Sequence, residues 1–267
     1  MTADAPVLYN TNLSKAQGLL PETLELLQLW EPGMSAVDLK ARVKETGALA
    51  RSTDTRISDV VTRGFAQRYL IEEGSPARCL KPLADSSFNR SALRQLFLVY
   101  TARHNPIFAD FLTSVFWRKA TSHTREVTKA DTRDFLERAC ADGRIQPRWA
   151  DSMMERVTRY LLGTLEDFQL IEENRLRHRR TKPPTLALEA AVYLAYDLHA
   201  RKVPDNNLLS HAEWQLFGMS PADVLSALER AASHGYLQVQ NAGQLLRIEW
   251  IHPTMEQLVN ALANRQI

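Results

Sequence analysis

The sequence is poor in cysteine and glycine and has no long apolar run. Cys79 and Cys140 are the two cysteines in 267 residues, and neither belongs to a CxxC pair. That argues against a disulfide-stapled secreted scaffold and for a reducing compartment. Glycine occurs ten times, too sparsely for the many tight turns of a large β-sheet fold. No apolar stretch approaches the ~20 residues that span a bilayer. The best candidates, Leu96–Tyr100 and Leu186–Tyr196, are short, and Glu189 interrupts the second. Met1 to Tyr9 carries Asp4 and no basic-then-apolar leader pattern. A cytoplasmic protein with no membrane partner is expected.

Recognisable reaction chemistry is also lacking. There is no GxxxxGK(S/T), no GxGxxG after a strand and no GxSxG. The histidines (His104, His123, His178, His199, His211, His234 and His252) form no HExxH and no Cys/His cluster with zinc spacing. His211-Ala212-Glu213 opens like a deaminase signature, but no Pro-Cys-x-x-Cys follows. Pro204-Asp205 invites a nuclease reading, but no Glu-x-Lys follows closely. The expectation is a non-enzymatic protein with no cofactor, no metal and no small-molecule substrate.

What the sequence does have is charge sorted along the chain. The total of +2 is nearly neutral. Residues 1–39 carry net −4, 40–68 net +4, 69–173 net 0, 174–182 net +5 and 183–267 net −3. Two short positive segments therefore sit in a chain that is otherwise net negative. A total says nothing about such placement, so nucleic acid remains an open partner class.

The periodicity predicts a mainly α protein with winged helix-turn-helix-like units at its N- and C-terminal ends and short β-hairpins. Pro21 suits the first turn of an opening helix. Ser35 and Asp38 fit the start of a second, and Ser52 or Thr53 the start of a third running to about Tyr69. Extended pieces at Tyr69–Ile71 and Arg78–Leu80 would form the wing of this N-terminal unit. The middle reads as helices over about Ser91–Ala102, Pro106–Trp117, Lys129–Asp142 and Arg148–Phe168. Gln169–Glu172 and the basic segment Arg175–Lys182 come next and would make a third helix-then-hairpin unit. Near the C-terminus, helices over about Leu186–Arg201, Leu209–Phe217 and Pro221–Ser233 precede a hairpin around Asn241-Ala242-Gly243, then a last helix from about Met255. The strand Leu245–Ile251 alternates Leu246, Ile248 and Trp250 against Arg247 and Glu249. Three units are expected: 1–88, 89–182 and 183–267, with Pro183-Pro184 as the clearest break.

Two constellations carry binding chemistry. On the third helix, Ser52, Arg56, Asp59, Arg63 and Gln67 share one face, with Arg51 beside it and Lys40 and Lys44 on the preceding helix. Arginine in a major groove can hold guanine or phosphate, and Ser or Thr can hold phosphate. Asp59 opposes this, and a plain solvated helix face is the alternative. The run Asn174–Lys182 is the densest positive stretch. If extended, Arg175, Arg177 and Arg179 point one way, with Arg180 and Lys182 adding charge along a phosphate backbone. The alternative there is a basic linker. The C-terminal unit holds Asp223 and Glu229 against Arg230 on its third helix, which suits a protein partner better than DNA. Trp30, Trp117, Trp149, Trp214 and Trp250 lie among apolar residues and read as core.

Further motifs occur in order along the chain. They are Gly18-Leu19-Leu20-Pro21-Glu22 leading to Trp30, then Arg51-Ser52 with Arg56, then Phe135-Leu136 with Trp149. Leu165-Glu166-Asp167-Phe168-Gln169-Leu170, Ala191-Val192-Tyr193-Leu194-Ala195, Trp214-Gln215-Leu216-Phe217-Gly218-Met219 and Ile248-Glu249-Trp250 complete the series. Together they resemble the BrxA proteins of BREX (bacteriophage exclusion) phage-defence systems, across about Leu19 to Leu262. Gln169 stands where that pattern would have glycine. The resemblance implies an all-helical, non-enzymatic protein with helix-turn-helix character that binds double-stranded DNA. It would act beside a methyltransferase, an ATPase and other BREX components. A protein-interaction adaptor without nucleic acid, and an RNA-binding helical protein, are the competing readings.

Overall fold

The computed structural model describes residues 7–14, 18–50, 52–173, 178–242 and 245–264. Among them the chain is mainly helical, with two small antiparallel hairpins.

Helix α1 spans Leu20–Leu29 with proline in its first turn, where a missing N–H costs nothing, and buries Thr23, Leu26 and Leu27. The Trp30 indole then donates to the Met34 carbonyl at 3.1 Å across the turn. Helix α2 (Ala36–Thr46) starts with a reciprocal cap between Ser35 and Asp38, as their spacing predicts. Helix α3 (54–69) is capped by Thr53 and is continuous, but its middle, Asp59–Phe65, is π-helical.

The segment expected to form the N-terminal wing is a helix instead. α4 covers Ser75–Asp85. Gly74 takes a left-handed φ of 78° and Pro76 sits in the first turn, so the Gly-Ser-Pro signal opens a helix rather than turning a hairpin. Ala77, Leu80, Leu83 and Ala84 are buried at helical spacing and hold it in place.

α5 (Arg90–His104) is the central rod. From Ala92 to Ala102 every residue except Arg94 is buried, as in a helix enclosed by others. Against it pack the end of α3, α4 and the start of α6 (106–120, with a π-helical stretch Leu112–Phe116), while α7 (Lys129–Ala141) and α8 (Asp151–Asp167) pack on each other. α7 begins with the Thr128–Asp131 reciprocal cap. Strands β1 (Ile171–Glu173) and β2 (Arg179–Thr181) come next, pairing Ile171 with Thr181 and Glu173 with Arg179.

The C-terminal segment contains α9 (Leu188–Ala200), α10 (Asp205–Leu208), a 3-10 stretch Ala212–Phe217, α11 (Pro221–Ser233), β3 (Leu237–Ala242), β4 (Leu245–Trp250) and α12 (Met255–Asn264). The expected helix over Leu209–Phe217 is only a 3-10 stretch over Ala212–Phe217, and the short α-helix lies before it at Asp205–Leu208. Ser220 caps α11 with Asp223, and Leu246 and Ile248 face inward while Arg247 and Glu249 face out, as the alternation requires. One hydrophobic cluster runs from Tyr9 to Leu262. Polar contacts reinforce it: Tyr100 and Tyr193 hydroxyls lie 2.8 Å apart, and Arg103 on α5 bridges Asp197 on α9 and Glu213.

Candidate nucleic-acid interface

A continuous α-helix places residues eleven apart within about 20° of each other, so Arg56 and Gln67 are expected on one face. The π-helical turn between them widens the spiral and rotates the residues beyond it. Arg56 lines a cleft with Leu19, Leu24, Leu93 and Phe97, whereas Gln67 lines a different groove with Trp30, Ala36 and Leu70. The single predicted face is thus divided.

The remaining predicted residues separate by what their charges meet. Lys40 donates to Ser58 Oγ at 3.1 Å, and Lys44 pairs with Asp54 at 2.7 Å. Arg63 pairs with Asp59 at 3.4 Å. Ser52 is half-buried and its N–H closes a turn to the Leu49 carbonyl. Arg179 is bound by Glu166 at 2.9 Å and Glu173 at 3.5 Å, with 19% of its side chain exposed, so it is not a free phosphate ligand. Arg180 is exposed and lies opposite Glu172 in the β1–β2 ladder. Arg51, Arg175 and Arg177 lie outside the described residues. Arg68, counted in the first positive segment, is 1% exposed and gives nothing to the surface. Burial pushes its guanidinium below the usual arginine range, opposed by Tyr69 and Asp167.

Two predicted cations do share a region. The Arg56 cleft, of about 730 Å³, is also lined by Arg90, Arg94, Glu22, Asp167 and Gln169. A second cleft, of about 350 Å³, is lined by Arg94, Gln169, Lys182 and Pro183. Arg94 and Gln169 belong to both. Arg94 and Gln169 thus stand between a cleft lined by Arg56 of the first positive segment and a cleft lined by Lys182 of the second.

Arg90 and Arg94 were absent from the sequence-derived set because their segment, 69–173, sums to zero charge. A local signal existed. They stand one turn apart at the start of α5, which has no acidic residue in its first turn. Helix N-termini favour anions, so arginines there add to a positive pole instead of compensating it. Asn89 caps the helix through the Ser91 and Ala92 N–H groups, and Arg90 reaches back to the Ala84 carbonyl at 3.3 Å.

Gln169 is the third missed residue. α8 ends with Gln169 N–H donating to Glu166 O and Leu170 N–H to Leu165 O, each at 2.8 Å. In this cap the residue after the helix turns left-handed, and Gln169 has φ 58°. Glycine adopts that conformation freely, while a side chain there costs roughly 1–2 kcal/mol. Gln169 Oε1 accepts from Arg94 Nη1. Two carboxylates, Glu22 and Asp167, temper the site. Asp167 accepts from the Gly18 N–H at 2.9 Å, and desolvation pushes its carboxyl above the ordinary range.

Among the described residues no helix is long and apolar enough to cross a membrane, and no cluster of three or more His, Cys, Asp or Glu side chains is placed to hold a metal ion. A family model described as BrxA matches residues 7–197. A crystal structure of an uncharacterized protein from Magnetospirillum magneticum is similar at 16% identity, covering 78% of this chain and 97% of that one, with a TM-score of 0.58. That likeness is one of fold. No curated protein matches.

Proposed function

The chain belongs to the BrxA family of BREX phage-defence proteins, and from that premise we propose that it binds double-stranded DNA without enzymatic activity. Phosphates are held along the paired clefts by Arg56, Arg90, Arg94 and Lys182. The observation that carries this reading is the shared lining: Arg56 lines one cleft, Lys182 lines another, and Arg94 lines both. Guanidinium groups suit phosphate because their N–H forks match its oxygens. Glu22 and Asp167 limit the positive potential, so affinity rests on backbone contact and falls steeply with salt.

The C-terminal segment keeps the element order of a winged helix: helix, short helices, helix, hairpin. Its net −3 suits docking on protein, and the methyltransferase, the ATPase and other BREX components are the expected partners. An adaptor role without DNA has one specific observation in its favour. Lys44, Arg63 and Arg179 already hold carboxylates of this chain. RNA remains a competitor ligand for the same cations.

The deciding experiment is fluorescence anisotropy of labelled duplex DNA across a salt series. The wild type is compared with an Arg56→Ala/Arg94→Ala/Lys182→Ala variant, and duplex RNA serves as competitor. Binding by the wild type that is lost in the variant supports the reading. Wild-type affinity in the variant removes these clefts as the site, and no binding at low salt favours the adaptor.

A further inference from the structure

We propose that Gln169 is a positioning residue for Arg94, kept in a costly backbone conformation to hold that guanidinium at the junction of the two clefts. This rests on the DNA-binding reading of the clefts. The α8 cap needs only a left-handed backbone at residue 169, and glycine meets that need at least cost. A glutamine side chain adds nothing to the two cap bonds, both of which are backbone to backbone. Its amide instead accepts from Arg94 Nη1. Gln169 is exposed, so this bond does not serve to satisfy a buried group.

The geometry makes the pair local to one function. Arg94 and Gln169 are the residues that line both clefts. Arg94 is half-buried on a helix whose neighbouring positions, Leu93 and Gln95, are buried, so its base is fixed while its tip is not. An acceptor on the tip restricts its rotamers before ligand arrives and lowers the ordering cost of a phosphate contact. A neutral amide does this without cancelling the positive charge, as a carboxylate would.

The test compares Gln169→Gly, Gln169→Asn, Arg94→Ala and the Gln169→Gly/Arg94→Ala pair in the full chain. Gln169→Gly is expected to melt at higher temperature and yet bind duplex DNA several-fold more weakly. Its plot of log affinity against log salt should be shallower by about 0.9, the share of one phosphate contact. Gln169→Asn tolerates the left-handed turn but is one methylene shorter, so it should bind like the glycine variant. Added to Arg94→Ala, Gln169→Gly should cause no further loss of affinity. Wild-type affinity and slope in Gln169→Gly, or losses that simply add in the double variant, overturn the proposal. If the wild type binds no duplex, the DNA reading fails, and the Arg94 Nε–H resonance decides the positioning by itself. Greater fast motion of that group in Gln169→Gly supports it, and unchanged order overturns it.

Discussion

Gly218 sits against the indole of Trp117: a Cβ added at Gly218 would lie 2.6 Å from the ring. The same ring donates its Nε1–H to the Leu216 carbonyl at 3.0 Å. Gly218 also has φ 65°, so its lack of a side chain serves both the turn and the packing. This contact seats the C-terminal segment against α6, far from the first positive segment in sequence.

Gly218→Ala should therefore destabilise the protein by roughly 2–4 kcal/mol, the sum of a left-handed alanine and an overpacked ring contact. Urea denaturation of both proteins measures it. A cost below about 0.5 kcal/mol, the level of an ordinary surface substitution, would show that the ring can move aside.

Arg103→Ala should cost about 3–5 kcal/mol, because it leaves the largely buried Asp197 and Glu213 carboxylates without their shared cation. Arg201 stays within 2.7 Å of Glu213 and softens the loss. Thermal melting read by circular dichroism at constant salt measures it. A surface-sized effect would place the hub in solvent.

Acid should weaken the same hub. Burial raises the Glu213 carboxyl, but the hydrogen bonds and charges of Arg103 and Arg201 outweigh it, leaving Glu213 below its ordinary value of 4.5. A depressed carboxyl contributes stability that is full above that unfolded value and is lost as pH falls through the folded one. Stability should thus drop below about pH 4.5 in the wild type and drop less in Arg103→Ala. Parallel pH profiles of the two would count against this linkage.

Asp167→Asn should tighten duplex DNA binding about two- to fivefold, within the ~1 kcal/mol of a single exposed charge. Asparagine can still accept from the Gly18 N–H. Because desolvation raises the Asp167 carboxyl, removing the charge should also leave neutral-pH stability equal or higher. Anisotropy and a melting curve on one sample report both, and weaker binding would reverse the assigned sign of this residue.

Local signals in the sequence determined most elements. Ser35 with Asp38, Thr128 with Asp131, and Ser220 with Asp223 begin their helices because each pair satisfies backbone donors at short range. The β3–β4 hairpin arises from its period-two alternation. Local signals failed where two structures compete for one pattern. Gly74-Ser75-Pro76 reads equally as a turn or a helix start, and burial of Leu80 and Leu83 against the rest of the chain decided for the helix.

Of the candidate site, the sequence by itself determined that positive charge collects in two short segments, because charge is a property of residues. Where those charges point was decided by the tertiary structure alone. Ion pairs with Asp54, Asp59 and Glu166 hold Lys44, Arg63 and Arg179, and a π-helical turn parts Arg56 from Gln67. Arg94 and Gln169, seventy-five positions apart, meet through folding, and the two line both the cleft of Arg56 and the cleft of Lys182. The reason is physical: a summed charge has no direction, whereas a phosphate site depends on which side chains point at one place.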